Sequence, residues 1–134
     1  MTRFVVDAGV VLDIARNGRV VHRRHELLAP TLLRSQTLST LHEAVQRGEI
    51  SPEEARGLLD RVGPPGMKIR LLGDAVLRRK AWDLADQLGW SSTYDAEYIA
   101  LTQLQADAFV TLDANLARSV SGLVATATID DVIR

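Results

Sequence analysis

The stretch TYDAEYIALTQLQADAFVTLDANLA, residues 93–117, decides how this chain is read. Thr93 precedes a segment whose apolar positions recur at helical spacing, so it predicts a helix capped by Thr93. AFVTLD then reads as a buried strand and ANLARSVSG as a short helix. Asp95 falls where the first helix begins, and Asp113 falls where the strand ends. The N-terminal RFVVDAGVVLD repeats the second arrangement, with Asp7 closing an apolar, β-branched strand.

Outward from there, strands and helices alternate. GVVLDIARNG predicts a short helix stopped at Asn17-Gly18, and RVVHRRHE an irregular or weakly helical basic segment. LLAP is a second short strand closed by Pro30, and a long helix is expected from Thr31 to about Arg47, stopped by Gly48. SPEEARGLLDRVG carries Ser51 as N-cap, Pro52 at the first helical position and Glu54 three residues after the cap. GPPG at 63–66 marks the sharpest turn, and MKIRLLG alternates as a strand. DAVLRRKAWDLADQLG is an amphipathic helix with Val76, Leu77, Ala81, Leu84 and Leu88 on its apolar face and Gly89 as its stop. LVATAT is a last strand and IDDVIR a terminal helical turn. Such alternation predicts an α/β layered domain with a mostly parallel sheet.

Composition bounds the possibilities. With 134 residues, the chain is expected to form one domain, residues 1–134. A content of 46% hydrophobic and 25% charged residues is that of an ordinary globular protein and argues against disorder. No apolar run reaches the roughly 20 residues of a membrane span, and MTRFVVDAG lacks a signal-peptide pattern, so a cytoplasmic location is expected. The absence of cysteine leaves only oxygen and imidazole as metal ligands. A net charge of -1 supplies no global attraction to nucleic acid. Of the 16 basic residues only Lys68 and Lys80 are lysines, a bias that suits phosphate contacts and that genomic base composition would equally produce.

In an open α/β sheet, ligands bind beyond the carboxyl ends of the strands. Asp7 and Asp113 are expected there, and Asp95 opens a helix that can face the same rim. Three adjacent carboxylates repel one another unless neutralised, and a hard divalent cation is the economical neutraliser. Such an ion clamps a phosphodiester and activates water. Each Asp also has a plain structural reading: Asp113 as a helix cap, Asp95 in a favourable first turn, Asp7 as a turn residue accepting backbone N–H bonds.

FVVDAGVVL, LLAPTLLRSQTLSTLHEAVQRGEISPEEA, YDAEYIALTQLQADAFVTLDANLA and VATATIDDVI together cover most of the chain. In these pieces and their order it resembles a PIN domain, and more narrowly the ribonuclease toxin of a VapBC toxin–antitoxin module. The resemblance implies a three-layer α/β/α sandwich, an Mg²⁺ or Mn²⁺ site held by Asp7, Asp95 and Asp113 as catalytic carboxylates, and RNA as substrate. It also implies a cognate antitoxin, for which a basic peptide covering the acidic cleft is the expected chemistry, and a homodimer. One departure is evident: where such toxins usually place a glutamate after LLAP, this chain has Gln36. Its carbonyl can still ligate an ion or hold a coordinated water, but with one negative charge fewer, so weaker metal binding is expected. Glu43 lies on the same helix face within about 20°, roughly 10 Å further along the axis, and serves a second ion, the substrate side, or merely the surface.

The remaining candidates are weaker. His22 and His25 in HRRH make a poor hard-metal pair; Arg23 and Arg24 between them, and Arg78 and Arg79 in LRRK, are candidate RNA-phosphate contacts or solvated faces. Trp82, Trp90 and the two tyrosines are candidate base-stacking groups. Packing is the better reading for Trp82, while Trp90 is placed to line an opening. Leu38, Leu41 and Val45 form a stripe that is either core or a dimer surface, and Thr93 either caps a helix or also touches a metal-bound water. The leading reading is a metal-dependent endoribonuclease toxin. The alternative is a catalytically weak or inactive PIN domain that binds RNA or protein, which Gln36 favours. A phosphoacceptor receiver domain fails for want of a lysine ending the last strand, and a two-aspartate phosphatase fails at Gly9.

Overall fold

The computed structural model describes residues 1–63 and 66–134. The two prolines at the centre of the turn expected at 63–66 lie outside the described residues. In chain order the elements are β1 (Thr2–Val6), α1 (Ala8–Arg16), β2 (His25–Pro30), α2 (Leu32–Gln46), α3 (Pro52–Val62) and β3 (Ile69–Leu72). They continue with α4 (Ala75–Leu88), α5 (Tyr94–Gln105), β4 (Ala108–Val110), α6 (Ala114–Val120), β5 (Thr126–Ala127) and α7 (Ile129–Ile133).

The strands form one sheet in the order β3-β2-β1-β4-β5, with every pairing parallel. Parallel strands need both faces covered, which explains why β1 and β4 read as unbroken apolar runs. Helices α1, α2 and α3 pack against one another, whereas α5 lies on β1, β2 and β4 and is backed by α4. The result is an α/β/α sandwich. Its centre holds Val5, Val6, Leu28, Ile99, Phe109 and Val110, each essentially without solvent contact.

The order in which strands are added to the sheet reverses at β1. Successive strands run outward from β1 through β2 to β3, and the chain then returns to place β4 and β5 on its other side. The gap between the carboxyl ends of β1 and β4 is therefore the topological switch point, the place where open α/β sheets bind their ligands. Val6 pairs with Val110, so the residues that follow, Asp7 and Thr111, emerge side by side.

Local signals placed most boundaries. Ser51 accepts from the Glu54 N–H and starts α3 with Pro52 in its first turn. Gly89, at φ +70°, ends α4 in the left-handed conformation that favours glycine. Asp74 accepts from the Leu77 N–H at 2.8 Å and starts the same helix. Three expectations need correction. First, β2 begins at His25 rather than Leu27, because His25 and Glu26 are drawn into register with Thr2 and Arg3. Second, β4 stops at Val110, because the Thr111 hydroxyl accepts from the Asp113 N–H and turns the chain. Third, β5 keeps only two residues of LVATAT, in keeping with the short edge strands that resist further pairing.

The α2 stripe divides. Leu41 is buried at 4% exposure, Leu38 stands 56% exposed, and Val45 is intermediate. Val76, expected on the buried face of α4, is exposed. Leu41→Ala is expected to cost about 2–5 kcal/mol in urea unfolding, and Leu38→Ala to stay within about 0.5 kcal/mol of wild type.

Candidate acidic site at the switch point

Asp7 is the first residue beyond β1. One carboxylate oxygen accepts from the Val10 N–H at 3.0 Å and caps α1; the other accepts from the Thr111 hydroxyl at 2.5 Å. Asp113 lies three residues beyond β4, and its Oδ1 accepts from the Asn115 and Leu116 N–H groups, capping α6. Asp95 sits in the first turn of α5 and is exposed. The plain structural reading of each aspartate thus holds: two caps and one first-turn acid. Capping leaves Asp113 Oδ2 and both Asp95 oxygens uncommitted among the described residues.

The three carboxylates also feel one another. Burial raises the Asp7 pKa, the Thr111 and Val10 hydrogen bonds pull it back, and the charges of Asp95 and Asp113 push it up again. Burial, then the charge of Asp113, raises Asp95 as well. Among the described residues no lysine, arginine or histidine pairs with any of the three. Hard oxygen donors with unopposed charge suit Mg²⁺ or Mn²⁺ in kind. They are not gathered into a finished ligand set: no group of three His, Cys, Asp or Glu among the described residues is spaced to hold an ion.

Two neighbours emerge that had not been assigned to the site. Thr111 bridges the strand ends, donating to Asp7 and accepting from the Asp113 backbone N–H at 3.2 Å. Its importance rests on the β1–β4 register, which no local pattern encodes. Tyr98 is buried and donates to Gln36 Oε1 at 2.5 Å. Burial, followed by the charges of Asp7, Glu97 and Asp95, drives its hydroxyl pKa far upward, so it remains a donor. Its spacing of three residues from Asp95 on a helix was a legible signal. Gln36 therefore adjoins the acidic site through Tyr98, with its carbonyl oxygen engaged.

The other candidates fall out differently. Glu43 is exposed; it accepts from Ser39 Oγ at 2.8 Å and faces Arg47 at 4.0 Å, so its contacts are those of a helix surface. Thr93 occupies the N-cap position of α5 but makes no side-chain cap bond; Ser92 Oγ instead accepts the Tyr94 N–H at 3.3 Å. Arg23 and Arg24 precede β2, at the amino edge of the sheet and away from the acidic rim. Arg78 and Arg79 are exposed on α4, whose cap Asp74 lies two residues past the carboxyl end of β3. His25 gives Nε2 to the Arg134 carbonyl and His22 Nδ1 accepts from the Arg24 N–H, so both rings serve local structure. Trp82 is 65% exposed rather than packed, and Trp90 is half-buried and packs against the core. Tyr94, adjacent to Asp95, is 56% exposed.

Sheet order and layers define an α/β/α sandwich with a parallel central sheet, a PIN-like fold. The chain is similar in fold to PAE2754 from Pyrobaculum aerophilum, with a TM-score of 0.71 and 18% sequence identity over 98% of this chain and 94% of that one. No family model matches the sequence. No curated protein matches it either.

A carboxyl whose folded pKa is raised above its unfolded value weakens the fold at higher pH, and that penalty disappears as pH falls below the unfolded pKa. Asp7→Asn, which keeps the capping oxygen, is therefore expected to raise the thermal midpoint at pH 7 in EDTA. The gain over wild type should shrink as pH is lowered into the carboxylate range; scanning calorimetry at several pH values measures it.

Proposed function

We propose that the chain is a divalent-metal-dependent endoribonuclease, the toxin of a toxin–antitoxin pair. The observation that supports this reading is that Asp7 feels the charges of Asp95 and Asp113, while none of the three has a cationic partner among the described residues. Resemblance to VapBC toxins supports the substrate class and the antitoxin partner.

The residues divide the work. Asp7, clamped by Thr111 and Val10, is the rigid holder of Mg²⁺ or Mn²⁺. Asp113 offers Oδ2 while Oδ1 fixes its backbone, and Asp95 approaches from α5 on the solvent side. When bound, a divalent cation supplies charge neutralisation to a phosphodiester and acidifies a water. Arg78 and Arg79, exposed on α4, would meet flanking phosphates, and the exposed Tyr94 ring beside Asp95 would stack on a base.

A second reading has its own support. Gln36 brings no charge to the site, its carbonyl is held by Tyr98, and the carboxylates are not already gathered around an ion position. These features favour a slow enzyme, or a module that binds RNA or protein without cutting.

Purified protein incubated with total RNA separates the two. The nuclease reading expects discrete cleavage with Mn²⁺ or Mg²⁺, none in EDTA, and a loss of about a hundredfold or more in Asp7→Asn and Asp113→Asn. Intact RNA under every condition, with the fold verified by circular dichroism, would leave the binding-only reading. Gln36→Glu is expected to lower the Mn²⁺ concentration needed for half-maximal cleavage; no change would remove Gln36 from the account.

A further inference from the structure

The amino edge of the sheet carries a second feature of opposite charge. A cavity of about 830 Å³ opens where β1, β2 and β3 begin, between the loop after α1 and the approach to β3. Arg19, His22, Arg23, Lys68 and Arg70 line it, and Glu26 is its one acidic residue among the described residues. Glu26 is already shared between Arg3 at 3.6 Å and Arg70 at 3.3 Å, and Arg19 faces Asp130 at 3.8 Å. Arg23 and Lys68 are exposed and make no ion pair among the described residues. The cavity therefore has a net positive lining in a chain whose overall charge is -1.

Its floor is apolar: Ile14, Leu27, Met67 and Ile69 contribute buried or half-buried side chains. His22 and His25 stand at one wall with ring centroids 5.4 Å apart. His25 Nε2 donates to the Arg134 carbonyl, which leaves Nδ1 in that wall buried and without a hydrogen-bond partner among the described residues. The volume lies within the range of small-molecule sites. Guanidinium groups match phosphate oxygens in planar, paired contacts, and an apolar floor matches a flat organic body.

We propose that this cavity binds a phosphorylated small molecule of the nucleotide class, independently of the acidic site. Five strand residues separate the two edges along β1, roughly 15–20 Å. The phosphates lie against Arg23 and Lys68, with Arg19 and Arg70 behind them, and the base lies along Leu27, Met67 and Ile69.

Calorimetric titration of the full chain with ATP in EDTA tests this, with inorganic phosphate and a single-stranded RNA oligonucleotide as comparisons. One saturable ATP site is expected, with phosphate at least about tenfold weaker because the apolar floor is left unfilled. Arg23→Gln alone is expected to weaken ATP severalfold, and Arg23→Gln with Lys68→Gln at least about tenfold, while Asp7→Asn leaves it unchanged. Amide shifts on ATP addition should centre on residues 19–27 and 66–70. Absence of saturable binding, indifference to both basic variants, sensitivity to Asp7→Asn, or an RNA affinity that exceeds that of ATP and grows with length would each overturn the proposal.

Discussion

The pairing of β1 with β4 is the constraint on which the acidic site depends. Val6 and Val110 are partners in the sheet, so the two strands release their chains at the same level. Asp7 and Thr111 then meet through a 2.5 Å hydrogen bond, and Thr111 turns the chain toward Asp113. A one-residue slip would invert the faces of β4 and draw a polar neighbour, Asp107 or Thr111, into a fully buried register. The fully buried Phe109 and Val110 make that slip costly, so the core enforces the geometry of the rim.

Electrostatics then separates the molecule into two ends of opposite charge. At the carboxyl edge, like charges crowd around a half-buried Asp7, an arrangement that weakens the fold unless something positive joins it. At the amino edge, cationic side chains surround an apolar floor. The near-zero net charge conceals this division, which is why composition alone argued against any strong field. Tyr98 links the acidic rim to α2: its high pKa keeps it a donor, and its acceptor Gln36 is held in place rather than free to swing toward a ligand.

Much of the fold was legible because its signals are local. Ser51-Pro52 at the start of α3, Gly89 after α4 and the apolar runs of β1 and β4 each act within a few residues. The position of Asp7 at the end of β1 followed from those runs, whereas Asp113 lies three residues beyond the end of β4. What escaped depended on distant partners. His25 and Glu26 join β2 only because Thr2 and Arg3 lie beside them, and Thr111 matters only because β4 lands next to β1. Helical spacing predicted which face of α4 is apolar but not how far the core reaches across it, so Val76 and Trp82 were both placed too deep. Thr93 had the right chemistry and position for a cap, yet its backbone at φ -95° and ψ 0° accompanies no side-chain bond. Arg23 and Arg24 read equally as RNA-phosphate contacts or as a solvated segment, and sheet polarity puts them at the edge opposite the acidic rim.

The central claim is that Asp7, Asp95 and Asp113 form one cation-holding unit. Titration of Mn²⁺ into the full chain, followed by the loss of the free-ion electron paramagnetic resonance signal, tests it without requiring turnover or a known RNA. The account predicts saturable binding in wild type, lost or weakened at least about tenfold in each of the three Asp→Asn variants and unaffected by Glu43→Gln. Wild-type binding that survives all three substitutions, or no binding at millimolar Mn²⁺ by a folded protein, would contradict it and leave the aspartates as two helix caps and a first-turn acid.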